Sequence, residues 1–292
     1  MPLGTSLMLL AVGASLLGAL TRSAIPPAAW LALTMLLHAS RSMPGLSGLL
    51  SLFCAVYVAL AVADRDIYPM PGAAYVGAVG FMAASITLPF VLDRALGSRL
   101  GSVGSTLIFP LAWVAVEFLR SRVAPPATWG SIAYTQYGFL PLMQLTAFVG
   151  LWGITFVIAW FASTFELAWS RGFDLGTVRA PVLVYASVVG AIVAGGCVRL
   201  ARAPSDRPSI RAATLNRPAD LFVPGEMTHI TEGSVSASDR PRVAVKLSRL
   251  HDWFLDGSRR EARAGARLIV WPEQNLLVFA DDEAAFLERA KR

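Results

Sequence analysis

Apolar runs separated by short polar or proline–glycine breaks fill the first two hundred residues. They cover roughly 3–20, 26–40, 45–63, 71–92, 103–119, 144–169 and 180–200. A helix crossing a hydrocarbon layer needs about 20 mostly apolar residues. The pattern therefore predicts a polytopic α-helical membrane bundle of about seven spans, the second one short. Ile25-Pro26-Pro27, Met43-Pro44-Gly45, Asp64-Arg65-Asp66, Asp93-Arg94 and Arg171-Gly172-Phe173-Asp174 end the runs. Charges and turn residues belong at such ends, because unpaired backbone and charge both seek water. Small residues at Gly77, Gly80 and Ala84 suggest a face for close helix packing.

Beyond Arg202 the pattern changes. Ser209–Leu215 suits a buried strand, and residues 216–242 read mostly as loop. Residues 243–264 place Val243, Leu247, Leu250, Phe254 and Leu255 at helical spacing, with Gly265 as the stop. Arg267–Trp271 is a second apolar run, and residues 282–292 begin another amphipathic helix with acids in its first turn. Strand, helix, strand, helix is the order of an α/β layered domain. The expected organisation is a membrane bundle over 1–202 and the start of an α/β domain over 203–292. The last helix reaches Lys291-Arg292 with no Gly or Asn stop, and two strands are too few to bury both faces of a sheet. The second domain is therefore expected to be incomplete.

Composition agrees with this division. The chain is 55% hydrophobic and 15% charged, against about 25% charged in soluble domains. Residues 1–200 hold 10 Lys/Arg and 6 Asp/Glu, whereas residues 201–292 hold 15 and 13. The net charge of +6 does not point to nucleic acid, since the basic residues form no stripe and mix with acids. Arginines beside apolar runs mark membrane interfaces instead. With a cytoplasmic amino terminus, Arg41, Arg94, Arg99, Arg171 and Arg179 lie inside, and Arg22, Arg65, Arg120 and Arg122 lie outside. That small excess favours a soluble part facing outward. The first run has neither the basic start nor the cleavage site of a signal peptide. Cys54 and Cys197 lie in apolar runs and read as small buried residues, and His38, His229 and His251 have no metal-site spacing. No metal or cofactor is expected.

Residues 120–143 differ from the other connections. They carry Arg120, Arg122, Pro125-Pro126, Trp129-Gly130 and Tyr134-Thr135-Gln136-Tyr137. Aromatics with arginine suit the membrane–water boundary, either as a simple belt or as a surface that receives a lipid-borne substrate. Arg120, Trp129, Tyr134, Gln136 and Gln144 are the candidates for that surface. Glu117 and Glu166 are ionisable groups in or near spans; an interfacial pair with Arg120 accounts for the first, and snorkelling to the boundary for the second. In the second domain the candidate is Glu273, which follows an apolar strand and Pro272. Sites in open α/β sheets gather where strands end. A carboxylate beside an indole holds a proton more readily and can serve as general base.

Gly265-Ala266-Arg267-Leu268-Ile269-Val270-Trp271-Pro272-Glu273 resembles the segment of the carbon–nitrogen hydrolase (nitrilase) superfamily that bears its catalytic glutamate. Upstream, Pro110-Leu111-Ala112-Trp113 with Glu117 and Arg120, then Trp129-Gly130 and Tyr134-Thr135-Gln136, are similar to membrane motifs of apolipoprotein N-acyltransferases. So are Gln144–Gly150 and Trp152–Phe156. The resemblance implies a helical bundle with an αββα nitrilase-like domain on the periplasmic side of the bacterial inner membrane. It implies transfer of an acyl chain from a phospholipid to the α-amino group of a lipoprotein's diacylglyceryl-cysteine. A cysteine thioester is the intermediate, a glutamate the base and a lysine the oxyanion partner. Of these only the glutamate maps here, onto Glu273. The lysine and cysteine have no matching position, so residues 1–292 are expected to be inactive as written. Gln274-Asn275 stands where Thr-Ala is common in the family. This departure keeps open a membrane-tethered amidase or acyltransferase acting on another amine, or a non-catalytic membrane binding protein.

Overall fold

A computed structural model describes residues 2–65, 72–97, 100–124, 127–202, 209–218, 220–222, 226–231, 233–273 and 275–291. Asp66, Arg99, Pro125-Pro126 and Gln274, singled out above, lie outside these residues. The chain divides into two compact units, Met1–Ala203 and Pro204–Arg292, and each is described by itself.

The first unit is a bundle of α1 (Leu3–Ala19), α2 (Pro26–Ser42), α3 (Gly45–Ala63), α4 (Gly72–Leu96), α5 (Ser102–Val123), the short α6 (Leu140–Met143) and α7 (Thr146–Val149), α8 (Leu151–Ser170) and α9 (Leu175–Ala201). Five of these, α3, α4, α5, α8 and α9, are long and apolar enough to cross a membrane. Helices α1 and α2 have 17 residues each. Although the shortest of the apolar runs, α2 is the centre of the bundle. It packs on α1 and α8, and Ala29, Ala32, Leu33, Leu36 and Leu37 are wholly buried. Its polar residues are thus held by protein rather than lipid. At the periphery α9 buries little beyond Val178, Pro181 and Gly196 and turns Leu183, Val184 and Val188 outward. An outward girdle of this kind suits a hydrocarbon environment.

Several expectations need correction. Span six starts at Leu151 and not at residue 144, because Gly150 adopts φ +64° and breaks the run into α6, α7 and α8. Asp93-Arg94 does not end α4, which continues to Leu96; Asp93 is buried and paired with Arg41, so its charge needs no water. Helix α5 runs to Val123 and therefore includes Arg120. The close helix contacts involve Gly13 and Gly18 of α1. A Cβ on Gly13 would lie 3.2 Å from the Ala32 carbonyl, and one on Gly18 would lie 3.0 Å from that of Ala59. Gly77 faces open space, Gly80 meets only the Tyr57 ring at 3.8 Å, and Ala84 is exposed.

The second unit holds a βαβ arrangement. Strands β1 (Arg211–Thr214) and β2 (Ala266–Val270) pair in parallel, with Ala212 opposite Leu268 and Thr214 opposite Val270. Between them lie α10 (Glu226–Thr231) and α11 (Arg240–Arg263), and α12 (Glu283–Ala290) follows. Residues 216–242 are thus not all loop: α10 forms there, and Lys246 of α11 holds its Glu226 at 2.6 Å. Helix α11 buries Val243, Leu247, Leu250 and Phe254 against Trp271, Leu277 and Phe279, which is the core the 3.6-residue spacing called for. Gly265, at φ +91°, turns the chain from α11 into β2. Strand β1, expected to be buried, is largely exposed, and Leu268 and Val270 of β2 are exposed as well.

Candidate functional site

One end of the bundle is shaped by the segment after α5. Ala127–Gly130 form a turn, with Gly130 at φ +78°. Ser131 then caps a 3₁₀ turn, Ile132–Gln136, its hydroxyl accepting from the Ala133 N–H at 3.3 Å. Glu117 braces this turn from below. It is 4% exposed, accepts from the Ile132 N–H at 3.2 Å and from the Thr155 hydroxyl at 2.7 Å, and lies 3.9 Å from the Arg120 guanidinium. The pair is therefore buried, not interfacial as the sequence suggested. Leaving a buried donor such as the Ile132 N–H without an acceptor costs about 1–3 kcal/mol, so the local fold depends on this carboxylate.

Above the brace lies a cavity of about 170 Å³. Leu17, Leu20, Leu60 and Ile86 form its apolar wall; Trp129, Tyr134, Thr135, Thr21 and Asp64 form its polar side. Asp64, the C-cap of α3, is the charged group of the lining among the described residues. Burial holds its carboxyl above the ordinary range, and Thr21 and Arg22 offset this only in part. An apolar wall with a few convergent polar groups is the usual make-up of a small-molecule site. Trp129 and Tyr134 are half exposed and Tyr137 is 81% exposed, as rings at the headgroup level are.

Of the sequence candidates, Trp129 and Tyr134 come together at the cavity, and Arg120 reaches its margin through Met82 Sδ at 3.1 Å and Ser85 Oγ at 3.4 Å. Gln136 turns away, donating to the Pro26 carbonyl at 3.2 Å and to Thr135 Oγ1 at 2.9 Å. Gln144 donates to the Leu140 carbonyl and does not line the cavity. Asp64 and Thr21 were missed; they sit at span ends, where a polar residue reads as a simple boundary.

At the opposite end of α2 a second polar cluster forms. Arg41 bridges Asp93, at 2.8 and 2.9 Å, and Glu166; His38 Nδ1 meets Glu166 at 3.3 Å and its ring stacks on Trp169. Glu166 is 2% exposed, so it does not snorkel to the boundary. Arg94 donates to the carbonyls of Ser40, Met43 and Gly45 and fastens the turn between α2 and α3.

In the second unit Glu273 lies in an exposed turn just after β2, three residues past Val270. Its carbonyl accepts from the Asn275 side chain at 3.2 Å. The neighbouring Trp271 donates to Ser258 Oγ at 3.0 Å and packs on Phe254. That contact sets the direction in which the chain leaves the strand.

Long apolar helices around a polar-rimmed cavity define a polytopic membrane protein. Residues 12–164 match the family model of the apolipoprotein N-acyltransferase N-terminal domain. The chain belongs to the apolipoprotein N-acyltransferase family. Among curated relatives, the apolipoprotein N-acyltransferase of Geobacter metallireducens is 25% identical over 282 residues, covering 91% of this chain and 50% of that protein. Those of Bradyrhizobium diazoefficiens and Methylococcus capsulatus are 24% and 25% identical, covering 76% and 70% of this chain and 39% and 38% of theirs. The chain thus spans about half the length, or less, of these relatives.

Proposed function

We propose that this protein serves N-acylation of lipoproteins, moving an acyl chain from a phospholipid to the α-amino group of a diacylglyceryl-cysteine. The observation that carries this reading is the family match over residues 12–164. The bundle cavity, apolar on one side and polar on the other, suits a lipid-borne group entering from the membrane. Glu273, in the turn directly after β2, is the general base.

The chemistry runs in two steps. Glu273 accepts the proton of a cysteine thiol, and the thiolate attacks the phospholipid ester carbonyl, so that a thioester forms and a lysophospholipid leaves. Glu273 returns its proton to the departing lysophospholipid oxygen. The lipoprotein amine then attacks the thioester, gives up a proton to Glu273 as the amide forms, and the cysteine sulfur departs and takes that proton back. A lysine ammonium beside the carbonyl oxygen stabilises the charge developing in each step. Cys54 and Cys197 both lie within spanning helices, α3 and α9, where they are exposed and not buried as the sequence suggested, so neither is taken as the nucleophile.

Counting α1 and α2 as spans makes seven and puts the end of α9 on the side opposite the start of α1. The last turns of α9 support this: Gly196 packs on the Pro141 backbone, next to the segment that forms the cavity. That side is read as periplasmic. The test of substrate class is to offer diacylated lipopeptide and simple amides to the protein in its native membranes. A mass gain of one acyl chain on the lipopeptide, with the amides untouched, is expected. Hydrolysis of the amides with no change to the lipopeptide would replace this reading with the amidase one.

A further inference from the structure

We infer that Glu117 is a positioning residue whose carboxylate sets the shape of the cavity wall, an inference that rests on the reading of the cavity as the place where a lipid-borne group enters. Three elements meet at this one side chain. Glu117 belongs to α5, the Ile132 N–H to the 3₁₀ turn, and the Thr155 hydroxyl to α8. Ser131 closes the arrangement, lying 3.4 Å from Thr155 Oγ1 while it accepts from the Ala133 N–H. The residues whose backbone is fixed this way, Ser131 and Ile132, are also cavity residues, with Tyr134 and Thr135 in the same turn.

Arg120 extends the device to the other wall. One turn beyond Glu117, it approaches the carboxylate at 3.9 Å and reaches Met82 of α4, which also lines the cavity. A carboxylate suits this place better than a neutral acceptor. It has two oxygens for two donors from different elements, and it balances the guanidinium. The N–H groups at the start of a short helical turn have no partner within the turn, so an acceptor from α5 fixes where the turn begins. A displaced turn would move Tyr134 and Thr135 with it, since they follow within three residues of Ile132.

The whole chain in phosphatidylcholine nanodiscs, doped with a phospholipid carrying a diazirine in its acyl chain, provides the test. Two readouts are taken: amide exchange at Ile132 and Ala133, and crosslinks to residues 129–135 against crosslinks to the outward face of α9. Glu117→Ala is expected to speed exchange at Ile132 by about tenfold or more, the effect of losing a buried hydrogen bond. It should also reduce crosslinks at 129–135 several-fold and leave those on α9 unchanged. Glu117→Gln keeps one acceptor oxygen and is expected to fall between. Should Glu117→Ala fail to assemble, Thr155→Val removes one donor at nearly constant volume and is expected to lower the same crosslinks. Unchanged exchange and crosslinks in both variants, or a loss spread evenly over α9, would overturn the inference. No crosslinks at 129–135 in the unaltered chain, with Ile132 still released by Glu117→Ala, would sink the reading of the cavity and leave Glu117 a structural brace only.

Discussion

Arg41 stands between two buried acids, Asp93 and Glu166, while His38 leans on Glu166 from the other side. Within this cluster the acids and the guanidinium are worth keeping only together. Removing one partner of a buried pair leaves an unpaired charge and costs about 3–5 kcal/mol. Glu166→Ala should therefore lower the thermal midpoint in detergent far more than Glu288→Ala, whose carboxylate is exposed; equal midpoints would show the cluster to be unimportant. Asp64 makes a pH-dependent prediction. Burial raises its carboxyl above the ordinary value of 3.8, so the stability associated with the neutral form is full below that value. It is lost as pH rises through the folded-state value. Asp64→Asn should thus match the unaltered chain at about pH 4 and become the more stable of the two as pH rises; melts that stay parallel across that range would contradict it. Little of this was legible in the sequence. Glu166, Asp93 and Asp64 each read as a boundary charge, because their partners lie 42 to 128 positions away in the sequence.

Helices tell a different story. Their apolar runs set α1 and α3 to within a residue, since hydrophobic length is a local property, whereas α4 and α5 run four residues past the ends of their runs and α9 begins five residues before its own. Two features were not legible. The first is that α2 lies at the centre, which depends on packing with α1 and α8 and not on its own composition. The second is the break before α8, which turns on the positive φ of Gly150, while the surrounding residues remain apolar. Contact at α9 is equally hidden. A Cβ on Gly196 would collide with the Pro141 carbonyl, whereas Gly190 faces open space. Gly196→Ala is accordingly expected to loosen α9 from α6 and lower the thermal midpoint by several degrees, and Gly190→Ala to change it little. Equal effects would mean that α9 does not rest on this contact. In the second unit the βαβ order and the amphipathic face of α11 were readable from spacing, and α10 was not, because its six residues carry no periodic apolar face.

At the scale of the molecule, one side of the bundle carries the cavity and the end of α9, and the other carries the Arg41 cluster. The charge count over loops gives this sidedness only weakly, since Arg41 and Arg94 are engaged by internal partners. Single cysteines would settle it. Tyr137→Cys, at an 81% exposed position, is expected to react with a membrane-impermeant maleimide added outside spheroplasts, and Phe173→Cys is not; the reverse pattern would invert the proposed topology. The run ending in Glu273 is contiguous and so could be proposed from the sequence, whereas the cavity is assembled from α1, α3, α4 and the 129–135 segment. The most direct test concerns Glu273 itself. Membranes containing the protein as the cell makes it, supplied with a phospholipid bearing an alkyne-tagged acyl chain, should yield a hydroxylamine-sensitive acyl adduct on the protein. Glu273→Gln should abolish that adduct while the helices stay folded; an undiminished adduct in the variant would contradict the assignment of Glu273 as the base.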